Sequence, residues 1–275
     1  QCILCAAFSQ QATLDSLLKK LPDSKEDTLK AWLLIKIADI LLYNEPFKAR
    51  TYIQQAASLS EKIHFNTGII RSNATYADSY QIEGKIDSAL IYIERNLNLG
   101  RKLNDSFQIG IALLNMGVIY RDKMEFEKAL AYSLEGKAIF EKRSDPSLLS
   151  QVNDALQTLY NYRTEYDKAI TYGEQAVAQA RLQKDPLLLI KPLVNLSLSY
   201  IAKLDLKKGA LLLEEALAVC KPLKNPGVEA VITQNLGEIA LKNYDIPLTK
   251  KYITYSLSVF QQTGSFDGQA SCLRA

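Results

Sequence analysis

The sequence predicts an all-α protein, an α-solenoid of stacked antiparallel helix pairs, and three observations lead there. The first is a fixed period. Ala49, Ala89, Ala129, Ala169, Gly209 and Thr249 lie 40 residues apart, as do Tyr80, Tyr120, Tyr160 and Tyr200, with Ile40 and Ala240 at the outer positions. A third series, Ala77, Gly117, Gln157, Ser197 and Gly237, keeps the same spacing, with Ala38 one residue off it. Self-similarity at such a period is the mark of a repeat array. The second observation is apolar recurrence at helical spacing inside each period, and the third is that no strand-type alternation competes with it.

The elements follow in order. Segment 12–21 is expected to form a short helix that ends at Pro22. Asp23, Ser24, Lys25, Glu26 and Asp27 then supply a polar turn and an N-cap. Over 28–43, Ala31, Leu34, Ile37, Ala38 and Leu41 recur at helical spacing. Pro46 stands where a second helix begins, a position that tolerates a missing N–H, and Ala49, Ile53 and Ala56 mark that helix's packing face. Asp105, Asp145, Asp185 and Asn225 recur every 40 residues, the last three each followed by proline, which is a strong helix-start signal. The break inside each pair is short and polar (Glu83-Gly84-Lys85, Lys123-Met124-Glu125, Arg163-Thr164-Glu165, Lys203-Leu204-Asp205, Lys242-Asn243-Tyr244), so paired helices should lie antiparallel. The expected organisation is 1–10 as the remnant of a secretory signal, 11–27 as a short helix and turn, 28–265 as about six 40-residue repeats, and 266–275 as the start of a further one. On this reading the chain is a piece of a longer protein, since an array needs a polar terminal cap.

Gly117, Tyr120, Ala129 and Gly136 have the relative spacing of a tetratricopeptide repeat, and the chain resembles that family over about six units, 28–260. The family's unit is usually ~34 residues, so a period of 40 implies longer helices. The resemblance implies a right-handed superhelix in which small residues let backbones approach and the tyrosines pack between units. Gln157, Thr249 and Asn96 depart from the pattern, each larger or more polar than the residue expected there.

Composition limits the function. The 275 residues are 48% hydrophobic and 23% charged, with 33 basic and 30 acidic residues and a net charge of +3. Basic residues are scattered, so nucleic acid is not an expected partner. No apolar run reaches the ~18–20 residues needed to span a bilayer. QCILCAAFSQ reads as the tail of a secretory signal, cleaved between Ser9 and Gln10, with an ordinary apolar first helix as the alternative. Cys2 and Cys5 fall in that segment; Cys220 and Cys272 read as buried small hydrophobes. His64 is the only histidine and has no partner motif. Glu214-Glu215 and Glu125-x-Glu127 read as solvated helix faces and first-turn charges. No catalytic constellation, metal site or cofactor is expected.

What remains is the surface of the solenoid. The resemblance implies that first helices line a concave groove that holds a protein or peptide segment. Asn115, Asn195 and Asn235 then occupy one equivalent position, either hydrogen-bonding the backbone of an extended ligand or bonding a neighbouring helix. Arg71, Asp78, Gln81, Arg121, Asp154, Asn161, Lys191, Gln234 and Glu238 should face the same groove, and their mixed signs do not make a clamp for an acidic C-terminus. The run AFSQ, then LDSLLKKL, then EDTLKAWLLIKIA ahead of the array also resembles the N-terminal sensor region of Bacteroidetes-type tetratricopeptide-containing sensor histidine kinases. That resemblance implies an exported, periplasm-facing sensory segment of a larger signalling protein, a histidine kinase or a transcription regulator. A stand-alone cytoplasmic scaffold is the alternative.

Overall fold

The 40-residue period resolves into two turns of one kind, 20 residues apart. In the computed structural model, which describes residues 12–274, a residue with left-handed backbone closes helix after helix: His64, Gly84, Asn104, Met124, Ser144, Thr164, Leu204, Lys224, Tyr244 and Gly264. Except after Lys224, which follows a 3-10 turn at Lys221–Leu223, the next residue's N–H reaches back to the carbonyl five positions earlier. Lys85 bonds Tyr80 at 2.8 Å, and Glu125, Glu165 and Asp205 bond Tyr120, Tyr160 and Tyr200 at 2.9 Å. This satisfies carbonyls that the helix end would otherwise leave without partners. The tyrosine series therefore marks the last turn of each first helix.

The helices are α1 (12–20), α2 (Thr28–Leu41), α3 (Pro46–Lys62), α4 (Asn66–Ile82), α5 (Ile86–Lys102), α6 (Ser106–Asp122) and α7 (Phe126–Arg143). They continue as α8 (Pro146–Tyr162), α9 (Tyr166–Arg181), α10 (Leu187–Ala202), α11 (Leu206–Cys220), α12 (Pro226–Lys242), α13 (Ile246–Thr263) and α14 (Phe266–Arg274). Among the described residues there is no strand, and the fold is the expected all-α stack of helix pairs. The expected signal 1–10, with Cys2 and Cys5, lies outside the described residues. Two compact units divide the chain, 1–136 and 137–275, with the boundary inside α7. In the first unit consecutive helices from α2 to α6 pack on one another, and α2 also touches α4. In the second, consecutive helices from α8 to α14 pack likewise, and α8 touches α10.

Most helix starts follow the sequence. Asp27, Asp105 and Asp145 each accept two backbone N–H bonds from the first turn of α2, α6 and α8, and Asn225 accepts one from Val228. Pro46, Pro146 and Pro226 each open their helix. Asp185 is a correction: its carboxylate still accepts from Leu187 N at 2.9 Å, but Pro186 takes the cap position and α10 begins one residue late. The turns from α2 to α3 and from α9 to α10 depart from the series, with no left-handed residue near 44 or 184.

Close packing inside each pair is set by positions 16 apart. A Cβ on Gly117 would lie 2.3 Å from Ser133 Oγ, and one on Gly237 would lie 2.8 Å from Ile253 Cδ1. Where the fourth unit carries Gln157 in place of a small residue, its counterpart is Gly173, and a Cβ there would lie 2.7 Å from Gln157 Cδ. The departure is thus compensated across the pair, as native packing density requires. Asn96 is compensated differently: Asn73 Nδ2 donates to its Oδ1 at 2.9 Å, and its own Nδ2 donates to the Ile70 carbonyl at 2.9 Å. Fully buried apolar side chains fill the rest. Ile37 and Ile53, with Leu14 of α1, anchor the first unit's end, and Leu193, Leu213 and Ile232 lie in the core of the second. Burying one such side chain stabilises by ~1.5–3 kcal/mol. Cys220 and Cys272 are buried free thiols, as expected.

A second recurrence surrounds the tyrosines. Tyr120 stacks on Tyr132 and Tyr160 on Tyr172, each with ring centroids 5.3 Å apart. Lys128, Lys168 and Lys208 lie 5.2, 5.3 and 5.0 Å from the ring centroids of Tyr120, Tyr160 and Tyr200. Each lysine also pairs with the acid three residues before it, Glu125, Glu165 or Asp205. At Tyr200 the second ring is missing, because position 212 is Leu, and the hydroxyl donates to Glu174 Oε1 at 2.8 Å instead.

Candidate functional groove

In the first unit, α2, α4 and α6 enclose a cavity of about 240 Å³, completed by Ile93 and Asn96 of α5. It gathers four of the expected groove residues, Arg71, Asp78, Gln81 and Asn115. Trp32, Ile70, Ala74 and Ile111 supply apolar wall, and Gln108 adds another amide. Helical spacing explains the grouping: Arg71, Ala74, Asp78 and Gln81 fall on one face of α4, at steps of three and four.

The polar groups of this cavity differ in what they are bonded to. Arg71 Nη2 donates to Asp39 Oδ2 at 2.9 Å, and Thr75 Oγ1 donates to Asp39 Oδ1 at 3.2 Å, so α4 clasps one carboxylate of α2. Asp78, Gln81, Gln108 and Asn115 make no side-chain hydrogen bond or ion pair among the described residues. Asp78 reaches water, yet the protein around it removes enough solvent to push its carboxyl pKa up; Arg71 opposes the shift and Asp39 adds to it. Arg121, expected beside Asn115, does not line the cavity and instead donates to its neighbour Asp122 at 2.7 Å.

The second unit uses the equivalent residues otherwise. Asn195 Nδ2 donates to Asp154 Oδ1 at 2.6 Å, and Lys191 Nζ lies 2.9 Å from Asp154 Oδ2, so α10 clasps a buried carboxylate of α8. Asn161 Nδ2 and Gln157 Nε2 both donate to Ser199 Oγ at 2.8 Å. The carbonyl oxygens of Asn153, Gln157 and Asn161, one helical turn apart on α8, are buried without a partner among the described residues. Two cavities flank this network. One of about 240 Å³ lies beside Asp154 and Lys191, and one of about 370 Å³ lies beside Asn161 and Asn195. On α12, Gln234 Nε2 donates to Ser271 Oγ of α14, and Glu238 sits 3.5 Å from Lys242. Asn235 is half-buried there, with no side-chain bond among the described residues.

The asparagine series therefore divides. Asn195 bonds a neighbouring helix, whereas Asn115 and Asn235 keep their hydrogen-bonding groups free. Trp32, Gln108 and the Asn73–Asn96 pair were not among the sequence-derived site residues; nothing in a 40-residue recurrence singles them out. The lysine and second tyrosine series do recur in the sequence, at 128, 168 and 208 and at 92, 132 and 172. Among the described residues no group of three His, Cys, Asp or Glu side chains is placed to hold a metal ion, and no helix is long and apolar enough to cross a membrane.

No family model and no curated protein matches the chain. Solved structures do share its fold. A signal-transduction ATPase with a tetratricopeptide repeat sensor from Pyrococcus horikoshii is 21% identical, TM-score 0.68, over 92% of this chain and 39% of that one. A Rap protein complexed with competence and sporulation factor is 18% identical, TM-score 0.69, over 94% of this chain and 72% of that one. The Cut9–Hcn1 assembly of the APC/C gives 16% identity and TM-score 0.68, over 97% of this chain and 45% of that one. These likenesses place the chain among tetratricopeptide-like helical-repeat folds.

Proposed function

We propose that the chain is a binding scaffold that holds a protein or peptide segment in the groove of its first unit. The observation that carries this reading is the set of unbonded polar side chains, Asp78, Gln81, Gln108 and Asn115, converging on one cavity with apolar walls. Buried or half-buried amides normally find partners, and a set left open beside a concavity suits a ligand that brings them. Amides both donate and accept, which matches a peptide backbone. The solved complex of a fold neighbour with competence and sporulation factor supports a binding use of the fold.

The test is an array of diverse synthetic peptides against the purified chain. For bound peptides, changing Gln81 and Asn115 together to alanine removes two hydrogen bonds, a loss of about tenfold in affinity at ~0.5–1.5 kcal/mol each. Helicity by circular dichroism should not change. Undiminished binding in that variant would place the ligand elsewhere.

We further propose that this scaffold is the exported sensory region of a larger signalling protein, with a histidine kinase or transcription regulator as the whole. The resemblance of the runs AFSQ, LDSLLKKL and EDTLKAWLLIKIA within 7–38 to exported sensor regions supports it. External protease applied to cells of the source organism, with the outer layer opened, should digest the repeat region of the natural protein. Full protection would instead favour the cytoplasmic scaffold.

A further inference from the structure

Resting on the groove reading above, we infer that the first-unit cavity takes an organic cation of its ligand, the guanidinium or ammonium of a basic peptide, seated against Asp78. Two carboxylates share one cation here. Arg71 bonds Asp39 at 2.9 Å, and Asp78 feels the Arg71 charge but makes no hydrogen bond or ion pair of its own among the described residues. Asp78 keeps its contact with water, so a cation can reach it, and the partial desolvation around it strengthens such a pairing. Partial desolvation already pushes the Asp78 pKa up, against the pull of Arg71 and with the help of Asp39.

The remaining walls select what kind of cation. At about 240 Å³ the cavity is below the ~300 Å³ at which small-molecule pockets begin, so it suits one side chain or chain end of a longer ligand. Ile70, Ala74 and Ile111 offer apolar wall for an alkyl stem, as long basic side chains prefer. Trp32 contributes an indole, the aromatic that attracts cations most strongly. Gln81 and Asn115 offer amide oxygens to the N–H groups of such a head or of the adjoining backbone. A hydrated metal ion would make no use of the apolar wall.

The chain carries its own reporter, because Trp32 is its single tryptophan and lines this cavity. Nonapeptide pools with a fixed central Arg, Lys, Leu or Glu, acetylated and amidated at their ends, are titrated against the intact chain while Trp32 emission is followed. A fifth pool, with central Leu and a free N-terminus, separates a chain-end ammonium from a side-chain cation. The Arg or Lys pool, or the free-amine pool, should bind at least about tenfold more tightly than the Glu pool, as close charge pairs at an interface do. Asp78→Asn should reduce that preference to under about threefold, and raised salt should weaken it. Asp78 is exposed and makes no hydrogen bond or ion pair among the described residues, so Asp78→Asn should fold as well as the parent, which the urea midpoint checks. Equal binding of the Arg, Lys, free-amine and Glu pools, or a preference that survives Asp78→Asn, overturns the cation inference and leaves the groove reading standing. Binding by none of the pools overturns both.

Discussion

Gly173 and Gln157 face each other across the α8–α9 pair, and changing Gly173 to alanine should have opposite effects in two backgrounds. The added Cβ would lie 2.7 Å from Gln157 Cδ, 2.8 Å from its Oε1 and 2.8 Å from Leu196 Cδ1. Gln157 cannot simply swing aside, because it is fully buried and its Nε2 is bonded to Ser199 Oγ at 2.8 Å. Overpacking of this kind costs ~1–3 kcal/mol, while a helix gains ~1 kcal/mol when glycine becomes alanine, leaving a net destabilisation of about 1 kcal/mol. Gln157→Ala alone should cost roughly 1–2 kcal/mol, from a lost hydrogen bond and one buried methylene. In that background the new methyl of Gly173→Ala meets only Leu196 Cδ1, the end of a side chain that can turn into the space Gln157 vacates. It should then stabilise by about 1 kcal/mol, for a coupling of about 2 kcal/mol. The assay is a double-mutant cycle by urea unfolding followed at 222 nm, read as midpoints at constant slope, since repeat arrays need not unfold in two states. If Gly173→Ala has the same effect in both backgrounds within ~0.5 kcal/mol, the compensation argued from these distances is wrong.

Thr164, a β-branched residue with φ of 58°, should become more stable as glycine by about 0.5–1 kcal/mol, the left-handed penalty less glycine's flexibility; Gly84→Ala should do the reverse, both read as shifts of the thermal midpoint. Asn195→Ala should cost ~1–3 kcal/mol because it strips a hydrogen bond from buried Asp154, whereas Asn115→Ala should stay within ~0.5 kcal/mol. Equal losses in urea midpoint would refute the division of the asparagine series. Burial, aided by the Glu174 bond, pushes the Tyr200 phenol up to about 12, and burial beside Tyr92 and Tyr80 does the same for Tyr76. The folded state thus favours the neutral phenols. Their stabilisation is complete below the unfolded pKa of ~10 and is lost as pH rises through about 12, so the urea midpoint should fall over that window, less so in Tyr200→Phe.

The repeat was legible because every unit solves the same packing problem with the same few residues. Gly117 against Ser133 and Gly237 against Ile253 leave no room for a larger side chain, so small residues recur at one register and announce it. Tyr120, Tyr160 and Tyr200 recur because each ring lies beneath a lysine of the following helix, whereas the backbone carbonyl that closes the turn comes equally from Gly100 or Ala240 elsewhere. The turns themselves were less legible. Met124, Thr164, Leu204 and Tyr244 hold left-handed backbone without being glycine, so no residue type marks them, and Met124, Leu204 and Tyr244 also expose large apolar side chains. Asp185 misled for a local reason, since an Asp-Pro pair caps equally well with the helix starting one residue later.

By itself the sequence determined the all-α class, the period and the packing register, because those depend on spacing along one chain and repeat in every unit. It also named most of the polar residues on the first helices. Only the tertiary structure decided which of them are free. Asn115 and Asn195 hold equivalent positions, yet Asn195 meets Asp154 from α8, whereas Asn115 meets no carboxylate and opens onto the cavity. Likewise Arg71 is neutralised by Asp39 while Asp78, two turns further along α4, is not. A partner 32 to 41 residues away in sequence sets each of these outcomes. Hydrogen bonds and ion pairs reach only about 3–4 Å, so register along one helix cannot reveal them until the helices are stacked.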